Sequence, residues 1–236
     1  MKGQLFLIPA YLTEEPQQEI ISPQVREVIK NTHHFLCENV RSARRYISSF
    51  KIHDSIEALH FEVLDKNTKP ETLSGLMAPL LEGKNMGIIS ESGCPGIADP
   101  GAMAVAYAHA KNCRVIPLTG PSSILLALMA SGLNGQQFAF HGYLPIEAKA
   151  AMASLKILEK ESKEKNQTQI FIETPFRNNA LLRHLLSTLR PDTRLCVAID
   201  LTSPKEKIIC MTVRQWKNLS LVFEKEPAVF LFLASD

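Results

Sequence analysis

Two short stretches hold the residues with the plainest chemical potential. The first, Ser90 to Gly101 (SESGCPGIADPG), follows the apolar run Met86 to Ile89; the second, Thr119-Gly120-Pro121-Ser122-Ser123, follows Arg114 to Leu118. Glycines at such points let the backbone approach a ligand closely. A helix opening after each loop offers N–H groups to a carboxylate or phosphate. This is the chemistry of holding a polar ligand rather than of attacking one. Arg41, just past the apolar run Phe35 to Cys37, is placed to clamp a phosphate or carboxylate bidentately. Arg44 and Arg45 read as helix surface. The chain carries no metal-binding cluster, G-x-S-x-G elbow, P-loop or G-x-G-x-x-G, and Cys94 reads as structural.

The elements that must position these loops can be read from the apolar pattern. Strands are expected at Leu5–Ile8, Phe35–Cys37, Met86–Ile89 and Arg114–Leu118, each a short apolar run ended by turn residues. Ser22-Pro23 opens a helix over 24–31, and a polar, proline-punctuated loop precedes it. A second helix carries Arg41 to Phe50, a polar region spans 53–69, and a third helix spans 73–81. Asp99 reads as the N-cap of a helix over 101–111, with Pro100 at its first position. Strand, glycine loop, helix, strand, glycine loop, helix describes a parallel sheet whose adjacent loops share one crevice. The chain changes domain near Thr119, giving domains 1–118 and 119–236. In the second, helices are expected at 124–130, 149–165 and 178–189. Strands are expected at 138–143, 169–172, 195–199, 208–213, 219–223 and 228–233, the last three suggesting antiparallel pairing.

Three segments in order carry a resemblance. SESGCPGIADPG, PLTGPSSILLALMASGL (117–133) and FHGYLP (140–145) are similar to the SDAGTPxISDPG, PxPGPSAxxxALxxSGL and FxGFLP motifs of the tetrapyrrole methylase superfamily. Within it the match resembles the small-subunit rRNA ribose 2′-O-methyltransferase branch. Elsewhere the chain departs from the family's pattern. Pro9-Ala10-Tyr11-Leu12-Thr13 stands where PTPIGNL is expected, Glu38-Asn39-Val40-Arg41 replaces EDTR, and Glu173-Thr174-Pro175-Phe176-Arg177 replaces the end of YESPHR.

The resemblance implies an α/β fold of two domains, with a mainly parallel N-terminal sheet, a mixed C-terminal sheet and a cofactor cleft between them. It implies S-adenosylmethionine (SAM) as cofactor, held by Ser92, Gly93, Ile97, Asp99, Ser122, Ser123, Ile172 and Ala198. Glu38, Asn39 and Arg41 take the catalytic positions, Arg41 and Arg177 the substrate positions, and no metal is involved. An activated sulfonium methyl leaves the protein mainly the task of orientation. The acceptor implied is the RNA of the small ribosomal subunit, and a homodimer is implied. Methylation of a small tetrapyrrole-type molecule, and a SAM- or RNA-binding module without catalysis, are the alternatives.

The bulk numbers suit this reading. With 236 residues, 45% hydrophobic, 21% charged and a net charge of +2, the chain is an ordinary globular protein without a broad nucleic-acid-coating charge. Five scattered cysteines with no CxxC pair fit a reducing cytoplasm. No apolar stretch reaches the roughly 18 residues of a membrane span, and the opening residues make no signal peptide.

Overall fold

The computed structural model describes residues 2–234 other than 14 and 16. Two residues of the loop expected before the first helix, and both chain ends, thus lie outside the described residues. The chain divides into two compact units, Met1–Ser122 and Ser123–Asp236. Among the described residues, no helix is long and apolar enough to cross a membrane.

The first unit runs β1 (Gln4–Ile8), α1 (Pro23–Lys30), β2 (His34–Cys37), α2 (Val40–Ser49), β3 (His60–Val63), α3 (Pro70–Leu76), α4 (Ala78–Leu81), β4 (Met86–Ile89), α5 (Gly101–Ala110) and β5 (Arg114–Pro117). Its five strands pair in the order β3-β2-β4-β1-β5, with every pair parallel. Alternate residues of each strand feed two separate cores, as the period of two requires. Phe6, Ile8, Phe35, Cys37 and Ile89 face Val25 and Ile29 of α1 and Ala43, Tyr46 and Ile47 of α2. Leu5, Leu36, Met86 and Ile88 face Leu73 of α3, Leu80 of α4 and Ala104 and Ala108 of α5. Helices therefore cover both faces, which is why β4 is buried along its whole length.

Two expectations for this unit change. The region 53–69 contributes a sheet strand, β3; it sits at the edge and buries no residue fully, so its apolar signal is weak. The single helix expected over 73–81 is two, broken at Met77 two residues before Pro79, because proline lacks the N–H that would continue the ladder.

The second unit runs α6 (Ser123–Ser131), β6 (Phe138–Tyr143), α7 (Ala148–Lys165), β7 (Thr168–Glu173), α8 (Asn178–Thr188), β8 (Arg194–Ile199), β9 (Lys207–Thr212), α9 (Val213–Trp216) and β10 (Ala228–Leu233). The sheet order is β6-β7-β10-β8-β9, parallel at β6–β7 and antiparallel elsewhere. One face packs Phe171, Val197, Phe230 and Phe232 against leucines of α7 and α8, and α6 lies against β8, β9 and β10. Trp216 is fully buried and donates its indole N–H to the Leu195 carbonyl at 2.8 Å. The strand expected over 219–223 is an irregular segment: Val222 is exposed, and the Phe223 N–H bonds to the Asn179 side chain instead of to a strand.

Candidate functional site

β4 is the pivot of the first unit. The chain leaves β1 and β2 toward α1 and α2 on one face, but leaves β4 toward α5 on the other. Since β4 lies between β1 and β2, its carboxyl end is flanked by connections that diverge on both sides. Divergence of this kind opens a crevice beyond the strand ends, the usual ligand position in open parallel sheets. The first glycine loop fills that position.

Three loops interlock there. The Ala10 N–H donates to the Gly93 carbonyl at 2.9 Å, tying the loop after β1 to the loop after β4. Gly93 has φ +71°, and a Cβ on it would lie 3.1 Å from Leu12 Cδ2 and 3.4 Å from the Pro121 carbonyl oxygen. A Cβ on Gly120 would fall 2.2 Å from Pro9 Cγ, so the loops after β1 and β5 pack backbone against ring. The Cys94 thiol donates to the Pro121 carbonyl at 3.4 Å, and burial pushes its pKa up, so it stays a protonated thiol. Asp99 also works inside the loop. Its Oδ1 accepts from the N–H of Gly101 at 2.9 Å and from that of Gly96. The helix expected to begin at Pro100 with Asp99 as N-cap therefore begins one residue later, at Gly101. Ser92 and Ile97 are exposed on the same loop, Ile97 at 53%. Ser122 ends the loop after β5, and Ser123 starts α6.

Glu38 sits at the end of β2 and lines a small hollow with Asp99, Pro100 and Gly101. Burial, then the charges of Asp99, Glu91 and Asp65, raise its carboxyl pKa. A carboxylate poised upward in this way suits a proton acceptor. Asn39 is otherwise engaged: its Oδ1 accepts from the N–H groups of Arg41 (2.9 Å) and Ser42 (3.3 Å), capping α2. Its one acceptor oxygen thus holds two backbone donors, and the side-chain amide remains its other polar group. Arg41 is exposed on the first turn of α2.

Sequence reasoning missed a cleft of about 330 Å³ beyond the ends of β1 and β4. Tyr11, Ser42, Arg45, Tyr46, Ser49 and Glu91 line it. Residues 42, 45, 46 and 49 fall at helical spacing on one face of α2, a signal present in the sequence beside the arginines.

In the second unit, Ile172 and Ala198 both pair with Val229, so they stand in one row across the sheet. Ala198 is 1% exposed, leaving only its backbone to meet a ligand, while Ile172 is half-buried. Arg177 is held at 2.7 Å by the buried carboxylate of Glu173. The pair neutralises Glu173 and leaves the Arg177 side chain one-third exposed. Among the described residues, no cluster of His, Cys, Asp or Glu is arranged to hold a metal ion.

The family model of Tetrapyrrole (Corrin/Porphyrin) Methylases matches residues 17–216. The chain belongs to the tetrapyrrole methylase family. Membership makes it a SAM-dependent methyltransferase. Its relatives include the ribosomal RNA small subunit methyltransferase I of Escherichia coli O157:H7, 30% identical over 207 residues (88% of this chain and 68% of that protein). The protein of the same name from Vibrio cholerae serotype O1 is 31% identical over 188 residues, 80% of this chain and 62% of the relative. Tetrapyrrole methylases of known structure share the fold. Uroporphyrin-III-C-methyltransferase from Thermus thermophilus superposes with a TM-score of 0.57 at 17% identity, covering 99% of this chain and 93% of that one. The methyltransferase CobJ superposes at 0.64 and 16%, covering 99% and 95%. In this chain Asn39 caps α2, a position where asparagine and aspartate serve about equally well.

Proposed function

We propose that the chain methylates a ribose 2′-hydroxyl in the RNA of the small ribosomal subunit, using SAM as donor. The observation that carries this reading is the crevice at the end of β4, where the glycine loop meets a partly desolvated Glu38 beside arginine-bearing α2. The names of the relatives support the RNA, and the chain spans 68% and 62% of the two described above. The loop residues fit the donor: Gly93 holds a left-handed backbone where a Cβ would crowd Leu12, and Ser92 and Ile97 present a polar and an apolar group outward.

Ser92, Gly93, Ile97 and Ser122 would hold the nucleoside and amino-acid portions of SAM, with Asp99 fixing the loop's shape. When bound, SAM supplies a methyl group already activated on a sulfonium. Glu38 would accept the proton of the acceptor hydroxyl at a carboxylate oxygen, and Arg41 would hold a neighbouring phosphate. We further propose a cytoplasmic homodimer: five free cysteines suit the compartment, and exposed Met129, Phe138 and Tyr143 suit a dimer face.

The test is transfer of radiolabelled methyl from SAM to small-subunit particles lacking this modification, with SAM binding followed by calorimetry. Label in an alkali-resistant dinucleotide, the mark of a 2′-O-methyl, supports the reading. Absence of both binding heat and label overturns it.

A further inference from the structure

Cys196 on β8 and Cys210 on β9 stand directly opposite each other in an antiparallel pair, so their side chains share one face of the sheet. Leu195, Val197, Ile209 and Met211 pack into the leucine-rich core on one side, and the two cysteines therefore point to the other, under α6. Arg194 belongs to the same face. Its guanidinium donates to the Gly132 carbonyl, just past the end of α6, at 3.0 Å and to the Cys210 sulfur at 3.9 Å. Both cysteines are free thiols; Cys196 is fully buried and Cys210 partly exposed.

The ladder fixes how closely the two residues approach. Antiparallel pairs alternate between hydrogen-bonded positions, with Cα atoms about 5.5 Å apart, and non-hydrogen-bonded positions at about 4.5 Å. The Val213 N–H donates to the Thr193 carbonyl at 2.9 Å, which makes Thr193–Val213 a hydrogen-bonded pair. Counting along the register, Arg194–Thr212 is then non-hydrogen-bonded, Leu195–Met211 hydrogen-bonded and Cys196–Cys210 non-hydrogen-bonded. The Thr212 N–H agrees, since it bonds to the Gln215 side chain at 2.9 Å instead of to β8. A Cα separation of about 4.5 Å lies inside the roughly 4.4–6.8 Å range of disulfides. β9 is the edge of its sheet and pairs with β8 alone, so it is free to draw in as a sulfur–sulfur bond forms.

The chemistry of the sulfurs singles out the same pair. Hydrogen bonding from the Cys196 thiol, with Arg194 beside it, lowers the Cys210 pKa and raises that of Cys196. The thiolate is the form that attacks an oxidant. Elsewhere burial pushes the Cys37 thiol up to about 12 and raises Cys94 as well. Cys210 is thus a partly exposed attacking sulfur with a second sulfur directly across the ladder, the two parts that a redox-responsive site needs.

We infer that Cys196 and Cys210 form a reversible oxidation site, in which a peroxide joins them as a disulfide across β8 and β9 while Cys37, Cys94 and Cys113 stay reduced. The Cys210 thiolate attacks one peroxide oxygen and the O–O bond breaks. The departing hydroxide takes up a proton to become water, and Cys210 is left as a sulfenic acid. The Cys196 sulfur then attacks the Cys210 sulfur, the S–O bond breaks, and the hydroxyl leaves with the Cys196 proton as a second water. Two thiols lose two hydrogens and one peroxide becomes two waters. The site does not depend on the methyl-transfer reading above.

The test treats the natively folded full chain with a small excess of hydrogen peroxide at neutral pH, blocks remaining thiols by alkylation and maps the peptides by mass spectrometry. The expected product links the peptides of Cys196 and Cys210 with loss of two hydrogens, and it reverts to two thiols with dithiothreitol. It should form at least about tenfold faster than any other cysteine is oxidised. In C196S the second sulfur is gone, so a sulfenic acid at Cys210 should persist and be trapped by dimedone; in C210S neither product should form at the same dose. Because Cys196 is fully buried, C196A serves as a second variant that adds no hydroxyl, and circular dichroism before and after treatment reports that each protein stays folded. The inference is overturned if Cys210 proceeds to sulfinic acid without joining Cys196, if it joins a second chain instead, or if it is oxidised no faster than Cys37, Cys94 and Cys113.

Discussion

Substituting alanine for Gly120 tests whether the three loops at the end of β4 depend on one another. Gly120 lies outside the left-handed region, so the backbone itself tolerates alanine, and the whole effect comes from the new methyl group. That methyl would stand 2.2 Å from Pro9 Cγ and 2.3 Å from Pro9 Cβ. Carbon atoms settle at about 3.5–4.0 Å, so the ring or the loop must move by roughly 1.5 Å. Pro9 has little freedom to give way. Its ring fixes φ, and its carbonyl accepts the Tyr46 hydroxyl. The displacement therefore passes to Ala10 and its bond with Gly93. Overpacking of this kind costs about 1–3 kcal/mol, and at about 2–4 °C per kcal/mol the melting temperature should fall by roughly 2–12 °C. SAM affinity should fall about tenfold, a loss of about 1.4 kcal/mol. Differential scanning calorimetry and SAM titration of G120A measure both. A variant melting within about 1 °C of the natural protein, with unchanged SAM affinity, would refute the idea that these loops are coupled.

Other expectations follow from single residues. The carboxyl pKa of Glu38 is raised in the folded state, so the native protein holds that proton to higher pH than the unfolded chain. The stability this gives is fully present below the ordinary carboxylate pKa and is lost as pH rises through the raised value. E38Q should therefore melt higher than the natural protein at neutral pH while losing about 10²–10⁴-fold in methyl transfer; a variant that is both active and no more stable contradicts the assignment. N39A should cost about 1 kcal/mol through its lost cap and N39D almost nothing, as compared by chemical denaturation. Cys196 and Cys210 face each other across β8 and β9; hydrogen bonding between them, helped by Arg194 at 3.9 Å from Cys210 Sγ, lowers the Cys210 pKa and raises that of Cys196. Limited alkylation at neutral pH, read by mass spectrometry, should label Cys210 first, and first labelling at Cys37 or Cys113 would contradict this.

The order of elements was legible because the apolar runs are short and bounded. Met86 to Ile89 has a glycine loop after it and Asn85 before it, and its strand is found with those bounds. β3 was not legible, because His60 to Val63 is exposed along most of its length and offers no clean alternation. Leu219 to Phe223 misled for the opposite reason: Leu219, Leu221, Val222 and Phe223 are apolar, yet only Phe223 is buried, and its packing needs no ladder. At the candidate site, the glycine loops announced themselves by composition, whereas side-chain commitments did not. Asparagine at position 39 reads equally as a ligand or a cap, and only the distances to Arg41 and Ser42 show the cap. The ion pair of Arg177 with Glu173 and the cleft over Tyr11 depend on contacts from residues far apart in the chain, which no local pattern records.

The placement of β1 has a bearing on how the first unit is made. This strand is synthesised before both of its neighbours, since Leu5 pairs with Met86 and Val115. At roughly 5–20 residues per second, the opening strand waits about 4–16 s for its nearer neighbour, and longer for the other. Until then its apolar side chains have no sheet to join. The nascent chain thus carries an unpaired apolar segment through most of the unit's synthesis, and the sheet can close only after β4 and β5 have emerged.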